Sequence, residues 1–161
     1  MTAVIAPRRD GDLDGLAALL ADAVDGGASL NFVHPFTAAQ ARAWWQRQRD
    51  ETWVARDGDG IAGTVTLIRE HKPNGRHRGE IVKLIVHRRA RGRGLGRRLL
   101  ATAERAAAAH GLTLLLLDTE TGSAADHLYR AAGWTCYGIV PGYAADPHGT
   151  PRDCSFFYKE L

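Results

Sequence analysis

One short segment rich in glycine and arginine has the composition of a phosphate-binding loop: Arg91-Gly92-Arg93-Gly94-Leu95-Gly96. It lies between a predicted strand and a predicted long helix, so the free N–H groups and the positive end of the helix dipole would face a bound anion. Glycines let the backbone approach a ligand closely, and arginines add charge-assisted hydrogen bonds. A solvated helix start without a ligand is the alternative interpretation of this hexapeptide.

The spacing of these residues excludes two common kinds of phosphate loop. A dinucleotide fingerprint needs glycine where Arg97 stands, and a Walker motif needs Lys-Ser/Thr after the glycines. Residues 87–98 contain six arginines and no acidic residue, whereas the whole chain has a net charge of only +3. The rest of the chain is therefore net acidic, which favours a small polyanionic ligand over a nucleic-acid duplex.

Two acidic residues stand at strand ends, where a carboxylate can serve as a general base. Glu80 opens the β-branched strand before the loop, and Asp118 follows four consecutive leucines at the end of another strand. A carboxylate in partly apolar surroundings has a raised pKa, which suits it to accept a proton from an ammonium group. The alternatives are a surface glutamate at position 80 and a strand-end cap at position 118.

The hydrophobic pattern predicts the elements that would position these residues. Helices are predicted over residues 10–24, 37–48, 94–110 and 123–132. Strands are predicted over residues 3–7, 52–56, 61–69, 80–86, 112–118, 134–139 and 155–161, with a long Pro/Gly loop over residues 140–153. This order indicates one mixed α/β domain over residues 1–161, and the content of 45% hydrophobic and 24% charged residues is usual for a globular protein.

The loop also fits the pattern Arg/Gln-x-x-Gly-x-Gly/Ala, which Arg91, Gly94 and Gly96 fill. This pattern and the element order resemble the Gcn5-related N-acetyltransferases (GNAT) over essentially the whole chain. The resemblance implies a mixed sheet with helices on its flanks, whose two central parallel strands splay apart, and an acetyl-CoA-dependent acyltransferase. The two splayed strands would be residues 80–86 and 112–118.

The resemblance further implies where acetyl-CoA would lie. Backbone of Leu84, Ile85 and Val86 would meet the pantetheine arm, and the N–H groups near Leu84 and Ile85 would hold the carbonyl oxygen. The pyrophosphate would be held by the residues of the loop and the start of the following helix, namely Arg91, Gly92, Arg93, Gly94, Leu95, Gly96 and Arg97. Either Arg97 or Arg98 would reach the outer phosphates.

Catalytic roles follow from the same resemblance. Glu80 stands eleven residues before Arg91, a spacing similar to that of the base glutamate in histone-type members of the family. Glu80 and Asp118 would share the work as proton acceptor and ammonium-binding group, in an order that remains open. Tyr129 would donate to the sulfur as it leaves; an ordinary half-buried tyrosine is the alternative.

Several segments outside the loop resemble the tabtoxin-resistance acetyltransferases, a branch of the family that acts on a small toxin. They include Leu117-Asp118-Thr119-Glu120 and Pro141-Gly142-Tyr143, whereas residues 31–45 depart from that branch. The resemblance therefore implies a small-molecule amine as acceptor. Weaker candidates for contact with it are Asn31, Phe32, Glu120 and Tyr143.

The remaining expectations concern partners and location. The histidines and the cysteines show no metal-ligand spacing, so we expect no metal. The N-terminal residues lack the apolar core of a signal peptide and no stretch would span a membrane, so we expect a cytoplasmic monomer or homodimer that binds neither membrane nor nucleic acid. A protein or peptide acetyltransferase stays open as an alternative, as does a non-catalytic acyl-CoA-binding or nucleic-acid-binding module.

Overall fold

A computed structural model describes residues 2–161 of the chain, and its secondary structure follows the predicted order. The strands are β1 (Val4–Pro7), β2 (Glu51–Asp57), β3 (Gly60–Arg69), β4 (Arg78–Val86), β5 (Leu114–Glu120), β6 (Thr135–Ala145) and β7 (Pro151–Glu160). The α-helices are α1 (Leu13–Asp25), α2 (Ala38–Arg47), α3 (Leu95–Ala109) and α4 (Ala124–Ala131). The described residues therefore form the mixed α/β fold that the hydrophobic pattern predicts.

The seven strands form one sheet in the order β1-β2-β3-β4-β5-β7-β6. Only β4 and β5 run parallel; the other neighbouring strands within residues 2–161 are antiparallel. Parallel neighbours need a long crossover connection, and α3 supplies it between β4 and β5. The crossover carries the glycine-rich loop to the edge where these two strands end.

Helices cover both faces of the sheet and bury two separate cores. On one face, α3 and Tyr129 of α4 pack against apolar residues of β2 to β5 and β7. On the other face, α1 and α2 pack against Val54 and Ile85. Every second residue of β5, Leu115 and Leu117, is buried in the α3 core. The side chains between them therefore point to the α1–α2 face.

The predicted long loop over residues 140–153 is wrong. β6 continues to Ala145 and β7 begins at Pro151, so most of this segment is a hairpin. The register shifts between Val140 and Ala144, and Gly142 adopts a φ of +59° there. Because β6 is the edge of the sheet, Pro141 interrupts no ladder on its outer side.

Candidate active site

A wedge-shaped notch opens where β4 and β5 separate. The two strands pair at only three positions, of which Glu80 with Leu116 is the last. β4 then runs on to Val86, and β5 runs on to Glu120, without further pairing between them. Beyond Glu80, the backbone edge of β4 that faces β5 is thus left without a strand partner. The notch separates two strands that are hydrogen-bonded up to that residue.

Glu80 and Asp118 lie at this notch on one face of the sheet. Glu80 is the register partner of Leu116, and register partners in neighbouring strands point to the same face. Asp118 stands two residues beyond Leu116, so it shares that face. The structure therefore brings together the two carboxylates that the sequence singled out, on the side covered by α1 and α2.

The surroundings raise the pKa values of both carboxyl groups. Both side chains are exposed at the mouth of the notch, yet the protein around them removes enough water to raise the pKa of Asp118 and of Glu80. The charge of Asp118 raises the pKa of Glu80 further, while the ammonium of Lys83 lowers the pKa of both. Glu80 is therefore the carboxyl whose proton affinity is raised by both burial and a like charge.

A β-bulge at Lys83, which the sequence did not reveal, interrupts the alternation of side chains between the two faces of β4. Thr66 pairs with Val82 whereas Thr64 pairs with Ile85, and Lys83 between them has a φ of +52°. Ile81 is buried in the α3 core, but Ile85, four residues on, is buried in the α1–α2 core. An uninterrupted strand would place both on one face, and the bulge instead turns them to opposite faces.

The Lys83 side chain lies on the side of the notch that α1 and α2 cover, in a cluster with aromatic residues. Its Nζ donates to the carbonyl of Leu30 at 3.1 Å. It lies 5.4 Å from the ring centroid of Phe32 and 5.2 Å from that of Trp44. Phe32, which the sequence analysis predicts to contact the acceptor amine, is thus in the same region as the carboxylates. Asn31, also predicted, is exposed beside it with a φ of +70°.

Tyr129 lies on the opposite side of the sheet, where its ring is 5% exposed. The ring packs near Trp134 and Phe157, with centroid distances of 5.9 Å and 5.8 Å. Burial and the nearby charge of Asp118 raise the pKa of Tyr129, which keeps the phenol protonated at neutral pH.

The glycine-rich loop ends in the first turn of α3. Gly92 and Gly94 have φ values of +73° and +70°, a region that side chains other than glycine rarely adopt. Gly94 is the N-cap of α3, so the N–H groups of Leu95, Gly96 and Arg97 have no acceptor within the helix. An added Cβ at Gly92 or Gly94 would point into open space. The geometry is therefore that of an anion-binding helix start.

The six arginines around this loop divide into two groups. Arg88 and Arg89 form ion pairs with Asp22 and Asp57 at 2.8 Å and 2.6 Å. Arg98 donates to the carbonyl of Ala3 at 2.8 Å. These three arginines join elements of the fold.

The other three arginines stand beside the glycines and are exposed. They are Arg91, Arg93 and Arg97. Arg91 donates to the carbonyl of Val86 at 3.2 Å, and neither Arg93 nor Arg97 has an ion-pair partner in residues 2–161. The group of arginines without an ion-pair partner is thus smaller than the number of arginines in the sequence indicates. Of Arg97 and Arg98, the two candidates for contact with outer phosphates, only Arg98 is engaged within the fold.

The predicted backbone site lies along the open edge of β4. Ile85 is buried and pairs with Thr64 of β3, so its pairing with the sheet is on the side away from the notch. Leu84 and Val86 turn their side chains to the α3 core. Gly96 lies close to the end of β4, because a Cβ added to it would lie 3.6 Å from the Val86 side chain and 3.3 Å from that of Leu128. The start of α3 therefore lies next to the end of the open strand.

The other two residues predicted to contact the acceptor amine, Glu120 and Tyr143, lie on the β7 side of the notch. Glu120 stands two residues beyond Asp118 and shares its face. Tyr143 is 54% exposed and packs edge-on against Phe156 at 4.9 Å, and Phe156 is the register partner of Asp118. The amide of His34 donates to the carbonyl of Pro147 at 2.8 Å. This last contact joins the segment before α2 to the β6–β7 turn.

Three other features of residues 2–161 bear on the expectations from the sequence. The described residues contain no group of three or more His, Cys, Asp and Glu side chains arranged to hold a metal ion. Every helix in the same range is too short or too polar to traverse a bilayer. Cys136 and Cys154 are both free, and burial raises the pKa of Cys154.

Comparison with known proteins agrees with this architecture. Residues 21–134 match the model of the Acetyltransferase (GNAT) family. A GCN5-related N-acetyltransferase from Kribbella flavida is 23% identical, with a TM-score of 0.84 over 99% of this chain and 98% of that one. A ribosomal-protein-alanine N-acetyltransferase from Brucella melitensis is 25% identical, with a TM-score of 0.81 over 98% and 99% of the two chains.

A third similar structure contains the nucleotide-bearing ligand that the loop geometry suits. It is a GNAT superfamily phosphinothricin acetyltransferase from Sinorhizobium meliloti in complex with AcCoA, 21% identical, with a TM-score of 0.85 over 100% of this chain and 89% of that one. The fold predicted from the sequence is confirmed by these likenesses and by the splayed parallel strands. Since the family model covers most of the chain, the protein belongs to the GNAT family of N-acetyltransferases.

Proposed function

We propose that this enzyme transfers the acetyl group of acetyl-CoA directly to a primary amine of a small molecule. The observation that carries the proposal is the placement of Glu80 and Asp118 on one face at the mouth of the notch, beside an anion-binding helix start. A pair of carboxylates with raised pKa values suits the binding and deprotonation of an ammonium group.

The residues on the other side of the notch fit acetyl-CoA. The amides at the start of α3 and the exposed Arg91, Arg93 and Arg97 would hold its pyrophosphate. The open backbone edge over residues 84–86 would pair with its pantetheine arm, and its N–H groups would hold the carbonyl oxygen. When bound, acetyl-CoA supplies an acetyl thioester, which an uncharged amine attacks.

Within this proposal the side chains have separate tasks. Asp118 holds the ammonium form of the acceptor, because no neighbouring negative charge within residues 2–161 adds to the effect of burial on its pKa. Glu80, whose pKa Asp118 raises, accepts the proton of that ammonium. Tyr129 stays protonated because burial and Asp118 raise its pKa, so it keeps a hydrogen-bond donor for the sulfur.

The shape of the acceptor side favours a small molecule over a peptide. The contact of His34 with Pro147 at 2.8 Å joins the segment before α2 to the β6–β7 turn, and the His34 and His148 rings are 5.1 Å apart. A polypeptide chain that passed between these two segments would have to separate them. The resemblance to the tabtoxin-resistance acetyltransferases supports a toxin or antibiotic as the small molecule, and the likeness to a phosphinothricin acetyltransferase likewise supports a small acceptor.

The test is thiol release from acetyl-CoA with a panel of amines. The panel contains the tabtoxin warhead, amino-bearing antibiotics, free amino acids, polyamines and lysine peptides. We expect turnover with a class of small amines and little with the peptides. Preferential acetylation of lysine peptides would favour the protein acetyltransferase instead, and the absence of turnover on every amine would contradict the proposed function.

A further inference from the structure

Lys83 is a half-buried cation that forms no ion pair with any carboxylate of residues 2–161. An ammonium group has three N–H donors, and the only hydrogen bond of Lys83 within those residues is to the Leu30 carbonyl at 3.1 Å. Lys159 shows the contrast, because its Nζ forms an ion pair with Glu104 at 3.0 Å and also donates to the carbonyl of Ala132. A partly desolvated ammonium with spare donors has capacity for an anionic ligand.

The surroundings hold the Lys83 ammonium in one place. The rings of Phe32 and Trp44 flank it at 5.4 Å and 5.2 Å, within the range of cation–π attraction. Its backbone is fixed by the bulge in β4, where its φ is +52°. The side chain is therefore pre-organised before any ligand arrives, which lowers the cost of binding one.

Lys83 belongs to the same electrostatic site as the two carboxylates. Its charge lowers the pKa of Glu80 and of Asp118, and their charges in turn favour its protonated form against burial, which lowers its pKa. All three side chains lie on the α1–α2 side of the sheet. One positive group therefore stands near two groups that bind an ammonium.

We infer that Lys83 binds a carboxylate of the acceptor, so that the substrate is a small molecule bearing both an amine and a carboxylate, the chemical class of amino acids. This inference rests on the proposed function and names its substrate class. The ammonium of such a molecule would meet Asp118 and Glu80 while its carboxylate meets Lys83. A simple alkylamine or the side chain of a lysine peptide offers only the first of these contacts.

The experiment compares matched acceptors in the wild-type enzyme and in Lys83→Met. Each free amino acid that is turned over is paired with its amide, which keeps the amine and removes the carboxylate. In the wild type we expect a lower KM for the acid than for the amide. In Lys83→Met we expect the KM of the acid to rise about tenfold or more relative to that of the amide, the loss of one charge-assisted contact. The accompanying rise in the pKa of Glu80 and of Asp118 acts on both members of the pair.

Two further variants separate recognition from structure. Lys83→Arg keeps a cation with hydrogen-bond donors and should retain part of the preference for the acid. Lys72→Met, which removes an exposed lysine in the loop before β4, should leave both KM values unchanged. Thermal unfolding of each variant reports on folding, and the acid-to-amide ratio of KM values is insensitive to a uniform loss of active enzyme.

The outcomes of the two proposals are distinguishable. Turnover of amines by the wild type without preference for the acid, or an equal loss on both members of a pair in Lys83→Met, would overturn the role of Lys83 and leave the acetyltransferase proposal standing. Absence of turnover on every amine would overturn both. A selective loss on the acid in Lys83→Met, with partial recovery in Lys83→Arg, is the result that we expect.

Discussion

Glu80 and Asp118 face the same side of the sheet at the last point where β4 and β5 are paired. The relationship follows from the register, in which Glu80 is the partner of Leu116 and Asp118 stands two residues farther along β5. Beyond this point the strands separate, so the carboxylates flank the opening instead of being covered by a paired strand. In this arrangement the negative charge of Asp118 raises the pKa of Glu80.

The first prediction concerns the pH dependence of activity. The charge of Asp118 raises the pKa of Glu80, so replacing Asp118 by asparagine should lower that pKa. Activity falls at low pH as Glu80 becomes protonated, so the acidic limb of the kcat/KM profile should move to lower pH in Asp118→Asn. Rates of thiol release measured across the acidic range test this.

Glu120→Gln is the matched control for that profile. Glu120 is the next acidic residue on the same face of β5, but its charge is not among those that shift the pKa of Glu80. Its replacement should leave the position of the acidic limb unchanged. A limb that stays in place in Asp118→Asn, or moves to higher pH, would contradict the assignment of Glu80 as proton acceptor.

The second prediction concerns Gly94, whose φ of +70° sets the direction of the amides that follow it. Alanine at this φ is strained by about 1–2 kcal/mol, so Gly94→Ala should lose stability and distort the helix start. We expect coenzyme A, measured by calorimetry, to bind about tenfold or more weakly. Gly11→Ala is the control, because Gly11 has ordinary φ and an added Cβ meets nothing within 4 Å. An unchanged affinity of Gly94→Ala for coenzyme A would contradict the assignment of the start of α3 as the phosphate-binding site.

The third prediction separates the two groups of arginines. Arg97→Ala should weaken coenzyme A binding by about tenfold, the effect of one lost charge-assisted contact, with little change in thermal stability. Arg88→Ala should leave the affinity unchanged and lower stability by about 1 kcal/mol or less, because it removes an exposed ion pair with Asp22. Equal effects of both variants on coenzyme A affinity would show that the arginines act only as a diffuse charge.

The fourth prediction concerns the Tyr129 hydroxyl. Phenylalanine keeps the ring that packs near Trp134 and Phe157 and removes only the donor. Because the substitution retains the buried ring and its packing, Tyr129→Phe should unfold at nearly the wild-type temperature. Its kcat should fall by about 10²-fold, the lower range for loss of a general acid or donor. An unchanged kcat would assign Tyr129 to packing alone.

The parts of this fold that follow local periodicity could be predicted from the sequence. Thr37 and Gln40 have the types and the spacing of a capping box, and they form one at the start of α2. The alternation of β5 places the buried Leu117 and the exposed Asp118 on opposite faces. The glycines of the loop permit the positive φ values that Gly92 and Gly94 adopt. In each case the signal lies within a few residues of the feature that it determines.

The bulge at Lys83 could not be predicted in this way. Alternation alone would place Lys83 on the face of Ile81 and Ile85, and the residue with the positive φ is a lysine instead of a glycine. The bulge depends on the pairing of β4 with Thr64 and Thr66 of β3, which is a contact between distant parts of the chain. The position of Lys83 beside Phe32 and Trp44 was therefore visible only in three dimensions.

The β6–β7 hairpin and the arginine cluster were misjudged for a similar reason. Pro141 and Gly142 are typical of loops, yet they are tolerated in β6 because it is an edge strand with a register shift at that point. Arg88 and Arg89 read as part of an anion site until their partners Asp22 and Asp57 are located. Residue type indicates what a side chain can bind, and the fold decides which partner it meets.

The most direct test of the central claim is thiol release from acetyl-CoA by the double variant Glu80→Gln, Asp118→Asn with the preferred amine. Glu160→Gln, at an exposed strand end, serves as control, and coenzyme A affinity is measured in parallel. The account predicts that kcat/KM falls by about 10²–10⁴-fold while coenzyme A binds as tightly as to the wild type. Full activity in the double variant would contradict the assignment of these carboxylates to catalysis.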